Sequence, residues 1–147
     1  MATTLFVGTH YPKLDDKGRL FLPAKFRDQL QGGLVMTKGQ EHALFVFPRD
    51  EFLSLAERLQ DAPLSSKSAR DYMRVLLSGA ADEVPDRQGR ITIPAPLRSY
   101  AELNKECVVI GMGSRVEIWN IDSWNQYMSE NEDTYAGISE EVVPGLM

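Results

Sequence analysis

The chain has 147 residues, enough for one domain or two very small halves, and its 43% hydrophobic content can fill a core, which excludes an intrinsically disordered polymer. A formal charge of −5 argues against a uniformly basic nucleic-acid binder, and a single cysteine excludes both an intrachain disulfide and a cysteine metal cluster. No apolar run approaches the roughly 20 residues that span a bilayer, and the N-terminal "MATTLFVGTH" lacks the basic start and long apolar core of a signal peptide. A soluble cytoplasmic protein with no membrane partner is the expectation.

In chain order, "TLFVG" reads as a strand leading to a turn at Asp15–Gly18. "RLFLP" follows as a short strand and "PAKFRDQL" as a helix. "LVMT" and "ALFVF" are two strands separated by "KGQEH". Phe52, Leu55, Ala56 and Leu59 recur at helical spacing in "PRDEFLSLAERLQ", with Pro48 placed to start that helix. "DAPLSS" breaks the chain, and Ser65 and Ser66 have the chemistry of helix caps. The helix beyond them sets Ala69, Tyr72, Met73 and Leu76 on one face. "ADEVP" then leads to a second turn at Asp86–Gly89, strand "RITIP", helix "APLRSYAEL", strands "CVVIG" and "RVEIW", and helix "DSWNQYMSE".

The second half therefore repeats the order of the first. "DDKGRLFLPAKFR" (15–27) and "DRQGRITIPAPLR" (86–98) share six of thirteen residues, and three more positions exchange one apolar residue for another. "VFPRDEF" aligns with "IWNIDSW", matching Asp50 to Asp122 and Phe52 to Trp124. The organisation is a first repeat over 1–61, a connecting helix over 62–79, a second repeat over 80–128 and an acidic tail over 129–147, expected to be disordered or an interaction segment. A copy of about 50 residues holds only a marginal core, so two copies in one chain gain by sharing one.

Asp15 and Gly18, like Asp86 and Gly89, occupy the first and fourth places of a β-turn, where type I turns favour Asp and Gly. The carboxylate can accept backbone N–H groups within the turn, which makes these four the loop-shaping residues. Alternation then buries Leu20, Leu22, Ile91 and Ile93 and leaves Arg19, Phe21, Arg90 and Thr92 outward. Two readings stand side by side. Asp15–Arg19 and Asp86–Arg90 can be surface ion pairs straddling a turn, worth about 0–1 kcal/mol each. Alternatively, a fixed guanidinium offers its donor fork to an anionic or guanine-bearing partner, with Lys13, Lys17, Lys25 and Arg87 near phosphate.

Charge placement leaves room for the second reading. The tail holds five acids and no base; without it, 16 acids balance 16 bases. Residues 10–27 carry five bases against two acids. Elsewhere the chemistry is thin. His10 and His42 stand in no metal or triad spacing, "GMGSR" (111–115) reads as a tight turn, and Cys107 reads as a small buried hydrophobe. Asp15 and Asp16 are adjacent rather than facing, so no carboxylate pair spans a cleft. Neither a catalytic group nor a cofactor is expected.

The paired Asp-x-x-x-Arg turns, each followed by an apolar-x-apolar-Pro run, resemble the MraZ family over nearly the whole chain. The resemblance implies an α+β fold: tandem AbrB/SpoVT-like halves forming a double split β-barrel of swapped-hairpin type, with flanking helices. It implies a bacterial, nucleoid-associated DNA-binding regulator, mainly a repressor, of the division and cell-wall gene cluster and its own promoter. The implied partners are duplex DNA with short G-rich direct repeats and further copies of the chain in a ring. Carried over by position, DNA contact falls on Arg19 and Arg90, then on Lys17, Arg87 and Lys13. The loops differ inside, where Asp16 and Lys17 face Arg87 and Gln88, so the two are not expected to contribute equally. The alternative is a non-DNA ring scaffold or antitoxin-like protein whose arginine loops grip an acidic partner.

Overall fold

A computed structural model describes residues 5–142, with side chains through residue 138. In the first repeat, β1 (Thr9–His10), β2 (Arg19–Phe21), α1 (Ala24–Leu30), β3 (Leu34–Lys38), β4 (Leu44–Pro48) and α2 (Arg49–Leu59) follow one another. After α3 (Lys67–Ser78) the pattern recurs as β5 (Ala81–Glu83), β6 (Arg90–Thr92), α4 (Ala95–Tyr100), β7 (Cys107–Gly111), β8 (Val116–Asn120) and α5 (Ile121–Val142). The architecture is α+β with antiparallel pairing throughout the named strands.

The repeats are interleaved rather than set side by side. A six-stranded sheet runs in the order β1-β7-β8-β4-β3-β5, and β2 and β6 form a separate two-stranded ribbon. Each repeat thus lends its first strand to the hairpin of the other: β1 pairs with β7, and β5 pairs with β3. The two hairpins join through β4 and β8. Every pairing between the repeats matches a pseudo-two-fold operation, which is how two copies too small to stand alone share one core.

The sheet is buried on both faces, so its central strands read as continuous apolar runs. Leu34, Met36, Leu44, Val46, Cys107, Val109, Val116 and Ile118 point into the main core with Leu20, Leu22, Ile91 and Ile93 of the ribbon and Phe26 and Leu97 of α1 and α4. On the other face, Phe52 of α2 covers Val35, Phe45 and Phe47, while Trp124 of α5 covers Val108, Ile110 and Trp119. The aligned pair Phe52 and Trp124 therefore performs the same job in each half. Pro48 takes the cap position of α2, and Ser66 rather than Ser65 caps α3, accepting the Ala69 N–H at 3.3 Å.

Three elements depart from the sequence reading. Thr4 lies outside the described residues, and the rest of "TLFVG" is not a strand. Gly8 at φ +98° breaks the extended run, leaving Phe6 in a single bridge to Gly113 before β1 begins. The face of α3 is only partly covered: Leu76 is buried but Tyr72 is exposed, because α3 meets β3 at one edge, where the Thr37 hydroxyl donates to the Leu76 carbonyl at 2.5 Å. The helix expected to end near Glu130 runs to Val142. Asn120 accepts the Ser123 N–H at 3.0 Å to start it, Trp124 and Tyr127 pack on Trp119, and glutamates are good helix formers on a solvated surface. Tail residues 143–147 lie outside the described residues.

Candidate functional site

The two Asp-x-x-x-Arg turns have one geometry. In the first, the Gly18 N–H donates to the Asp15 carbonyl at 3.0 Å, and the Asp15 N–H to the Arg19 carbonyl at 2.8 Å. Asp15 Oδ1 accepts the backbone N–H groups of Lys17 and Arg19, both at 2.9 Å, while Oδ2 accepts Arg19 Nε at 2.8 Å. In the second, Asp86 Oδ1 accepts Gln88 and Arg90 N–H at 2.9 Å each, and Oδ2 accepts Arg90 Nε at 2.8 Å. The interior residues differ, yet the turn is conserved in shape because the third residue donates only its backbone N–H. Gly18 and Gly89 close the turns at φ +79° and +81°, a region open to glycine at little cost.

These bonds favour the ionised aspartates. The Arg19 backbone N–H, then its side chain and the Lys17 N–H, hold the Asp15 carboxyl below the usual aspartate range; Arg90 and Gln88 do the same for Asp86. Each carboxylate engages only the Nε of its arginine. The guanidinium is fixed in direction while its two terminal amino groups make no bond among the described residues.

The ribbon sets the arginines in relation to each other. Arg19 lies opposite Thr92, and Phe21 opposite Arg90, with Leu20 and Ile91 paired between them. Period-two alternation therefore places Arg19, Phe21, Arg90 and Thr92 on one outer face and the two aliphatics in the core. Arg19 and Arg90 stand as diagonal neighbours, about 7–8 Å apart for such a pair. Both side chains are partly exposed, at 31% and 22%, neither folded inward nor turned to opposite sides of the ribbon. The Arg90 guanidinium lies 5.9 Å from the centroid of the half-exposed Phe21 ring. Lys17 and Arg87 are exposed on the turn tips, and Lys13 is exposed just before the first turn, where its backbone forms an isolated antiparallel β-bridge with Glu106.

Arg27 and Arg98, which close the duplicated thirteen-residue stretch, also belong to the site. Each donates to the carbonyl of the residue that follows its own ribbon strand, Arg27 Nε to Leu22 at 2.9 Å and Arg98 Nη1 to Ile93. The only signal for them in the sequence is their identity in both copies, since neither falls within a turn motif. Burial pushes the Cys107 thiol up to about 11, and among the described residues no three His, Cys, Asp or Glu side chains gather as a metal site. No helix among those residues is long and apolar enough to cross a membrane.

Interleaved tandem α+β repeats with paired arginine turns on one shared ribbon define an internally duplicated, pseudo-symmetric class of protein. The sequence matches the family described as "MraZ protein, putative antitoxin-like" twice, over residues 5–75 and 76–143. It is 59% identical over 143 residues to a protein of Frankia alni, covering 97% of this chain and all of the relative. Similar proteins of Clavibacter michiganensis subsp. michiganensis and Kocuria rhizophila are 60% and 61% identical over 142 residues, with 97% of this chain and 99% of each relative covered. All three relatives are named "Transcriptional regulator MraZ". The chain belongs to the MraZ family.

Proposed function

We propose that this chain is a sequence-specific DNA-binding transcription regulator, mainly a repressor, that reads guanines in short G-rich direct repeats with Arg19 and Arg90. The observation that carries the reading is the shared outer face of the β2–β6 ribbon, where two guanidinium groups are aimed by Asp15 and Asp86 with their terminal amino groups uncommitted. A fork held in this way matches the O6 and N7 acceptors of guanine in the major groove. Lys17, Arg87 and Lys13 add exposed positive charge around it for phosphate. The names of the full-length relatives support the regulatory role. By the same resemblance, its targets are the division and cell-wall gene cluster and its own promoter. The strand exchange between repeats supports the swapped-hairpin double split barrel as the fold.

A net charge of −5 is reconciled with DNA binding by placing many copies of the ribbon on one ring. Direct repeats call for head-to-tail copies of one surface, the contact type that closes rings, and several weak sites then act together. The test is fluorescence anisotropy of a duplex carrying G-rich direct repeats. Arg19→Ala/Arg90→Ala abolishes preferential binding while leaving the circular dichroism spectrum intact; undiminished binding by that variant refutes the proposal.

The antitoxin-like wording of the family description favours a second reading, in which the same loops grip an acidic protein. Salt separates the two, because phosphate contacts release counterions and binding to DNA then weakens steeply as salt rises.

A further inference from the structure

The last residue of the duplicated stretch acts across the pseudo-two-fold axis. Gly89, in the turn of the second repeat, lies under the Arg27 guanidinium of the first: a Cβ placed there would stand 2.5 Å from Nε and 2.8 Å from Cζ. Gly18, in the first turn, lies in the same way under Arg98 of the second repeat. The backbone repeats the crossing. The Leu22 N–H donates to the Gly89 carbonyl at 2.9 Å, and the Ile93 N–H to the Gly18 carbonyl at 2.8 Å.

These bonds form two continuous chains. Arg27 holds the Leu22 carbonyl, Leu22 holds Gly89, the Gly89 N–H donates to the Asp86 carbonyl at 2.9 Å, and Asp86 holds Arg90 Nε. The mirror chain runs from Arg98 through Ile93, Gly18 and Asp15 to Arg19. A planar guanidinium can lie flat on the Cα of a glycine and still donate in its own plane; the tetrahedral ammonium of a lysine cannot do both. Each turn is therefore held from below by an arginine of the other repeat.

We propose that Arg27 and Arg98 are positioning residues that set the aim of the opposite repeat's reading arginine: Arg27 that of Arg90, and Arg98 that of Arg19. The proposal rests on the reading that Arg19 and Arg90 contact DNA. Its consequence is a crossed pattern of coupling. Removing Arg27 disables the reading arginine 63 residues later in the chain and spares the one 8 residues earlier.

A double-mutant cycle tests this on the full chain, with a duplex bearing G-rich direct repeats as the probe. Arg27→Ala weakens binding about five- to tenfold, the scale of one ordinary lost hydrogen bond. Arg27→Ala/Arg90→Ala binds no more weakly than Arg90→Ala alone, whereas Arg27→Ala/Arg19→Ala shows the product of the two single losses. Arg98→Ala gives the reverse pattern. Losses that multiply in the crossed pairs, or coupling within a repeat, overturn the proposal. Amide NMR shifts give a readout independent of DNA: Arg27→Ala moves the Asp86–Arg90 amides and leaves Asp15–Arg19 in place. If Arg19→Ala and Arg90→Ala leave binding intact while the crossed shifts appear, the DNA reading has failed and the brace stands; uncrossed shifts overturn the brace. Should Arg27→Ala not fold, Arg27→Lys, which keeps stem and charge, goes through the same cycle. It is expected to bind as weakly as described for the alanine variant, and full rescue by lysine overturns the proposal.

Discussion

Gly89→Ala should be far more damaging than an alanine at an otherwise similar glycine. Gly89 has φ +81°, where an L-residue costs about 1–2 kcal/mol. Its new Cβ would also lie 2.5 Å from Arg27 Nε, so the partly buried guanidinium must leave its place and its 2.9 Å bond to Leu22. Overpacking of this kind adds about 1–3 kcal/mol. Gly113 is the internal control: its φ is +77°, yet nothing lies within 4 Å of its would-be Cβ. In urea unfolding at one fixed protein concentration, Gly113→Ala should lose only the backbone part, about 1–2 kcal/mol, and Gly89→Ala about 2–5 kcal/mol. In an Arg27→Ala background the two glycine substitutions should converge. Equal losses at the two glycines in the wild-type background, or no convergence once Arg27 is gone, would refute the steric argument.

Other consequences are open to measurement. Trp124→Ala uncovers Val108, Ile110 and Trp119 and should lower stability by about 3–5 kcal/mol in the same urea assay. Glu117 is 6% exposed and accepts both Arg115, at 2.7 Å, and Trp119 Nε1, at 3.1 Å. Because Arg115 is partly exposed, Glu117→Ala should cost about 2–3 kcal/mol, less than a fully buried pair, read as a drop in Tm. The depressed carboxyls of Asp15 and Asp86 contribute stability above the ordinary aspartate range, and that contribution disappears as pH falls through their lowered values. Asp15→Asn/Asp86→Asn should therefore flatten the acid limb of the urea midpoint against pH and leave the neutral limb's slope unchanged. Cys107 is fully buried and its thiol is pushed up to about 11, so a maleimide should label it only after urea unfolding.

Much of this was legible in the residues themselves. Six identities in thirteen residues exposed the duplication, and two-residue alternation in "RLFLP" and "RITIP" separated outward arginines from buried aliphatics. The alignment of Phe52 with Trp124 located two helices that cover the two halves of one face of the sheet. Composition and periodicity did not carry the exchange of partners, which only the family resemblance implied. Nothing in "TH" or "ADE" says that β1 pairs with β7 and β5 with β3, because pairing across a pseudo-two-fold axis leaves local composition unchanged. The crossed contacts of Arg27 and Arg98 follow from that exchange and were hidden for the same reason. The acidic second half of α5 lacks the apolar periodicity that marks a buried face, so its length is not legible in the residues, and Gly8 ends a strand whose composition alone reads as continuous.

Guanine itself offers the most direct test of the proposed readout. In a duplex with G-rich direct repeats, replacing guanine by 7-deazaguanine deletes the N7 acceptor and leaves O6, the base pair and the phosphates in place. The wild-type chain should lose roughly fivefold in affinity per contacted guanine, the worth of about 1 kcal/mol for one of the two bonds of a bidentate pair. Arg19→Ala/Arg90→Ala should bind the natural and substituted duplexes alike. An equal response of wild type and variant to the substitution, or none in either, would contradict the assignment of Arg19 and Arg90 to base edges.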